Sequence, residues 1–107
     1  MPRWTRKRLN ARESEIERYL KQRVGDTGGK TRKVRWLDKN GAPDRLVWWK
    51  FPHVCFVEVK AEGVEIDWDS IQGREAARLM LDGWPLRVIN SRDGVDALVR
   101  EFSHGGG

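Results

Sequence analysis

Three residues of this 107-residue chain have the types and spacing to do chemistry: Asp44, Glu58 and Lys60. Asp44 follows Pro43 in Gly41-Ala42-Pro43-Asp44-Arg45, and Glu58 and Lys60 close an apolar run as Glu-Val-Lys. Two carboxylates and an ammonium at adjacent strand ends suit metal-dependent phosphodiester hydrolysis. That reaction needs an activated water and a sink for negative charge, and a divalent cation supplies both. Hard cations such as Mg2+ take oxygen ligands and keep several waters, so two carboxylates make an adequate partial shell. Side chains alternate along a strand, which puts Glu58 and Lys60 on one side. Lys60 can then meet the attacking water or the scissile phosphate as a point charge. Val59, between them, turns its side chain away while its backbone carbonyl can face the cation. The structural alternative makes Asp44 a turn former and Glu58–Lys60 an ion pair on an edge strand. Against it, a carboxylate inside an apolar run is costly unless it is paired or bound to a cation.

The elements that must position these residues follow from periodicity. Residues 11–24 place Ile16, Leu20 and Val24 at helical spacing with Tyr19 beside them, and Gly25 is a stop. Residues 31–37 alternate Lys33 and Arg35 with Val34 and Trp36, the pattern of a half-buried strand. Asp38-Lys39-Asn40-Gly41 is turn-forming, and a short apolar strand over 46–49 ends at Phe51-Pro52. The run Val54–Val59 (VCFVEV) is continuously apolar apart from Glu58, as expected of a central strand covered on both faces. Residues 70–81 read as a second helix that packs through Ile71, Ala76, Leu79 and Met80. A strand over 86–89 and a helix through Phe102, capped by Ser91 or Asp93, complete the order α-β-β-β-α-β-α. That order predicts an α/β fold with a central mixed sheet flanked by helices. Trp36, Trp48 and Trp49 are expected in the core. The expected organisation is one domain over residues 11–102, a basic arm over 1–10 and a short tail over 103–107.

Composition narrows the function classes. Apolar residues make up 38% and charged residues 35%, as in a soluble globular chain. No apolar run approaches the roughly 20 residues of a membrane helix, and the basic N-terminus lacks the apolar stretch of a secretory signal, so an intracellular, cytoplasmic protein is expected. The single cysteine, Cys55, rules out a disulfide framework and a cysteine-rich zinc site and reads as a small buried hydrophobe. His53 and His104 fall on different elements and do not form a ligand pair. The net charge of +5 is uneven: twelve Lys and Arg face four acids through residue 35, and nine face twelve thereafter. The basic part suits a polyanion and the acidic part suits cations. Trp4 is placed to stack on an unpaired base, and Trp68 or Trp84 to lie in a dimer contact. A non-catalytic basic nucleic-acid-binding module is the alternative that uses the same charges and aromatics without the carboxylates.

Several segments together resemble the PD-(D/E)xK phosphodiesterase superfamily, and within it a stand-alone VRR-NUC domain. They are the glutamate-rich helix Glu13-Ser-Glu-Ile-Glu-Arg-Tyr-Leu20, Gly41-Ala-Pro-Asp-Arg-Leu-Val47, Phe56-Val-Glu-Val-Lys60, Gln72, and Val88-Ile-Asn-Ser-Arg-Asp-Gly-Val-Asp-Ala-Leu98. The resemblance implies a restriction-endonuclease-like core and a Mg2+- or Mn2+-dependent DNA endonuclease. It further implies a homodimer acting on branched DNA such as Holliday junctions, of the kind that viruses encode and that acts in a bacterial host. It assigns Asp44, Glu58 and the Val59 carbonyl to the metal, Lys60 to catalysis with Asp44 and Glu58, and Gln72 to orienting water or a phosphate. An acid of the first helix reaches the metal through water in this family. Glu13 is the first choice, and Glu17, four residues on, is the alternative. Asn10-x-x-Glu13 also fits a capping box that would occupy Glu13 structurally. The family's basic loop before Pro-Asp survives here only in modified form, as Asp38-Lys-Asn-Gly-Ala42.

Overall fold

A computed structural model describes residues 11–103. The basic arm with Trp4, Asn10 and His104 lie outside the described residues. Seven elements follow in the order helix α1 (Glu13–Asp26), β1 (Lys30–Lys33), β2 (Arg45–Trp48), β3 (Val54–Val59), helix α2 (Ile71–Leu81), β4 (Leu86–Ile89) and helix α3 (Arg92–Ser103). The order matches the sequence expectation. The four strands form one sheet, β1-β2-β3-β4. β1 and β2 are antiparallel, β2 and β3 are antiparallel, and β3 and β4 are parallel. A parallel pair needs a crossover, which is α2.

Strand alternation explains how helices cover both faces. Cys55, Val57 and Val59 point to one face of β3, where they meet Ile16, Leu20 and Val24 of α1 and Val95, Leu98 and Val99 of α3. Phe56 points to the other face and packs with Val88, Leu86, Ile66 and the α2 residues Ala76 and Leu79. Glu58 shares the parity of Phe56, so it lies on the α2 side. Ser70 caps α2 by accepting a hydrogen bond from the Gly73 amide at 3.0 Å. Of the two candidate caps for α3, Ser91 serves, accepting from the Gly94 amide at 2.9 Å. Cys55 is fully buried, and burial pushes its thiol up to about 12, so it stays protonated and inert.

Three expectations about elements and packing need correction. The first strand ends at Lys33, well short of Leu37. The Val34 amide still donates to the Asp44 carbonyl at 2.8 Å, but the next hydrogen-bonded pair would be Trp36 with Ala42, and the partner chain turns there, with Gly41 at φ +80°. Trp36 is therefore outside the sheet and 39% exposed instead of core. Of the proposed α2 packing residues, Ala76 is buried and Leu79 half-buried, whereas Ile71 and Met80 are largely exposed. Gly73, with no side chain, takes the close approach to the Asp67–Trp68 backbone, and this sets which face of α2 turns inward.

Candidate active site

The site is built at the ends of β2 and β3. Arg45 pairs with Val57 in the antiparallel register, and one further step sets Asp44 opposite Glu58. Glu58 is 5% exposed, at the floor of the site, while Asp44, Glu13 and Gln72 stand open to solvent around it. Burial chiefly, then the negative charges of Asp44 and Glu13, push the Glu58 carboxyl up to about 7, with Lys60 opposing them. The charges of Asp44, Glu13 and Lys60 are thus all felt at Glu58. Lys60 Nζ donates to Gln72 Oε1 at 2.8 Å. It thus spans from the end of β3 to the first turn of α2, and it does not lie at a sheet edge, because β3 is flanked by β2 and β4.

Backbone contacts hold these groups in register. The Lys60 amide donates to the Ile89 carbonyl at 2.8 Å, which continues the parallel ladder past Val59. The Glu62 amide donates to the Ala11 carbonyl at 2.9 Å, which ties the entry of α1, and hence Glu13, to the chain just beyond Lys60. On the other side, Gly41 adopts φ +80° and lies against Ile71 and the Gln72 backbone, where a Cβ would come within 3.0 Å of the Gln72 nitrogen. Glycine is the residue that meets both demands. The loop leading to Asp44 is thereby seated on the helix that carries Gln72.

The two first-helix acids separate clearly. Glu17 is engaged elsewhere: its Oε2 lies 3.2 Å from Arg45 Nη2. Arg45 is 3% exposed and also donates to Thr31 Oγ1 at 2.7 Å. Glu13 stands at the head of α1, whose N-cap is Arg12 with no side-chain cap, so the capping-box arrangement with Asn10 is not the one adopted. Glu13 is exposed and does not lie on the buried stripe; it is at the distance from Glu58 where its charge is felt. Glu17→Ala is expected to destabilise the protein by roughly 2–4 kcal/mol, since a buried guanidinium loses its counter-ion. Glu13→Ala should leave stability nearly unchanged and lower activity instead. Urea unfolding of both variants measures the contrast, and equal stability losses would contradict it. The Arg45–Glu17 pair escaped the sequence reading. Its signal was available: Arg45 opens the apolar strand Arg45-Leu-Val-Trp48 with the parity of inward-facing Val47.

The donor chemistry suits a hard divalent cation. The candidate ligands are carboxylates with no thiol or imidazole among them, a donor set that suits Mg2+ or Mn2+ over zinc. Among the described residues, no group of three or more His, Cys, Asp or Glu side chains stands ready to hold a metal ion. Such a group is not required of a cation that keeps several waters. Lys60 donates one hydrogen bond to Gln72, and Glu58 is a buried carboxylate whose charge Lys60 only partly offsets, the kind of group a cation would stabilise.

A four-stranded mixed sheet between helices, with an Asp and a Glu-x-Lys at adjoining strand ends, defines an α/β nuclease-like core. Comparison with known proteins narrows the class. The chain is 38% identical over 82 residues to a protein named "Putative nuclease p44" from Acyrthosiphon pisum secondary endosymbiont phage 1, which spans 77% of this chain and 86% of that relative. It superposes on a solved VRR-NUC domain with a TM-score of 0.76 and 33% identity, covering 86% of this chain and 98% of the other. No protein-family model matches the chain. The chain belongs to the VRR-NUC nuclease family.

Proposed function

We propose that this protein is a Mg2+- or Mn2+-dependent DNA endonuclease that acts on branched DNA such as Holliday junctions. The observation that carries this reading is Glu58: a buried carboxylate, repelled by Asp44 and Glu13, on the same strand face as Lys60. A merely structural carboxylate would be expected to pair with Lys60, whose hydrogen bond goes to Gln72 instead. That contrast disfavours a binding module without catalysis.

Asp44, Glu58 and the Val59 carbonyl would hold the cation, with Glu13 reaching it through water. When bound, the cation neutralises phosphate charge and makes water more acidic. Lys60, fixed by Gln72, faces the incoming water and the phosphate. It stabilises the charge that develops on the phosphate oxygens as water attacks phosphorus and one P–O bond breaks. The products are one phosphate terminus and one hydroxyl terminus. Cutting both strands of a junction needs two such sites, which a symmetric homodimer supplies. The relative from a phage fits a virus-encoded enzyme acting inside a bacterium. No described helix is long and apolar enough to cross a membrane.

The test is cleavage of four-way junction, flap and linear duplex DNA with Mg2+, with Mn2+ and with EDTA. Cutting is expected with either ion, fastest on the junction, and none in EDTA. Calorimetric titration of Mn2+ should show a saturable site that Asp44→Asn weakens. Cutting that persists in EDTA, or no saturable Mn2+ site, would overturn the metal assignment.

A further inference from the structure

A groove of about 340 Å3 lies beside the site, between the loop over residues 36–42 and helix α2. Lys39, Arg74 and Arg78 line it around a single acid, Glu75. It continues into a more apolar recess walled by Trp36, Ala42 and Leu79. The Trp36 ring is fixed, donating from Nε1 to the Pro43 carbonyl at 2.7 Å and packing against Phe56. Glu75 follows Gln72 by three positions, a little under one turn of α2 or about 4.5 Å along its axis. The groove is therefore the immediate neighbour of the Lys60–Gln72 contact.

Glu75 is the informative residue. Its side chain is 9% exposed, and Oε2 is buried with no hydrogen-bond donor among the described residues. Lys39 Nζ lies 3.5 Å from Oε2 and Arg78 Nε 3.7 Å from Oε1, both on largely exposed side chains. These are ion-pair contacts longer than an ordinary hydrogen bond, and they leave Oε2 with an unused acceptor position. A carboxylate in a groove meant only for phosphates would repel its ligand. Both difficulties disappear if the missing donor belongs to the ligand. A carboxylate offers acceptors only, so the matching group presents N–H donors. Of the four bases, guanine alone carries two adjacent donors, N1–H and N2–H2, on its pairing edge. Adenine and cytosine set one amino group beside an acceptor nitrogen, and thymine sets one N–H between two carbonyls. An unpaired base can also stack on an aromatic face such as Trp36, while the three cations hold its phosphates.

We propose that this groove takes one unpaired guanine of the DNA adjacent to the cut. Glu75 accepts from its pairing edge, Trp36 supports its face, and Lys39, Arg74 and Arg78 hold the flanking phosphates. The proposal rests on the reading of the protein as an enzyme of branched DNA. Its test is binding of the full chain, followed by fluorescence anisotropy in EDTA, to forked duplexes that differ in one unpaired nucleotide at the fork. Guanine is expected to bind roughly tenfold more tightly than adenine, cytosine or thymine. Hypoxanthine, which lacks the N2 amino group, should lose most of that gain, and Glu75→Gln should level the series. Equal affinity for guanine and hypoxanthine, or a guanine preference that survives in Glu75→Gln, would overturn it. The hypoxanthine comparison uses the wild-type protein and so does not depend on any variant folding. The outcome is also separable from the nuclease reading: binding in EDTA reports the base preference whether or not the protein cuts, and cutting by Mg2+ reports the nuclease whether or not bases are distinguished.

Discussion

Glu58→Ala is expected to lower DNA cleavage by on the order of a thousandfold or more without unfolding the protein. On the proposed reading the effect is large because Glu58 is the buried member of the set, with Asp44 and Glu13 exposed. On that reading its loss would remove the buried anchor for the cation, and it exposes none of the hydrophobic core. The isosteric Glu58→Gln tests the same point through stability. The Glu58 carboxyl sits at about 7 in the folded protein against an ordinary value of 4.5. Between those values the folded protein keeps a proton that the unfolded chain has released, so stability falls as pH rises through the window. The stabilisation is fully present below about 4.5 and lost above about 7. Glutamine is neutral at every pH. Its advantage over wild type in metal-free buffer should therefore grow from little at pH 5 to roughly 2–3 kcal/mol at pH 8. Mn2+ should raise the wild-type melting temperature at pH 8 and leave that of Glu58→Gln nearly unmoved. A difference between the two proteins that is the same at pH 5 and pH 8 would show that Glu58 is not held above its ordinary range. Activity should rise with pH through about 7, since the ionised carboxylate is the form that binds the cation.

Lys60→Ala should abolish most cleavage, by roughly a hundredfold to a thousandfold, while DNA binding stays within a few-fold of wild type. The separation follows from where Lys60 sits. It is one cation of a strongly basic protein, so its share of phosphate attraction is small. On the proposed reading it is the cation beside Glu58, where the transition state would gather charge. Arginine should not restore activity, because a planar guanidinium does not reproduce a compact ammonium held by one amide oxygen. Gln72→Ala should have a smaller effect, roughly tenfold, because it frees Lys60 without removing it. Single-turnover cleavage and anisotropy, measured on the same junction, distinguish these outcomes. A parallel loss of binding and cleavage in Lys60→Ala would make Lys60 a phosphate anchor and not a catalytic group.

Local pattern reached far in this chain because its strongest signals are local ones. The continuous apolar run Val54–Val59 and the helical spacing of Ile16, Leu20 and Val24 are satisfied where the sequence places them. Trp36 shows where such reasoning stops. Alternation through residues 31–37 is a true periodic signal, yet a strand needs a partner, and the partner chain turns away there, with Gly41 at φ +80°. The α2 packing residues illustrate the same limit. Ile71 and Met80 look like core candidates by type, but the close approach at Gly73 decides which face of the helix meets the sheet.

From the sequence alone came Asp44, Glu58 and Lys60 as the chemical set, the order of elements, and the contradiction of a carboxylate inside the most apolar strand. Each depends on residue type and on the two-residue period of a strand, properties carried by neighbours in the chain. The tertiary structure decided where Glu17 goes, because a buried guanidinium distant in sequence, Arg45, pairs with it, while Glu13 stays exposed with its charge felt at Glu58. It also joined Lys60 to Gln72 and set Glu75 beside Trp36. These pairings bring together segments whose separation along the chain carries no periodic signal, and only packing across the sheet could make them neighbours.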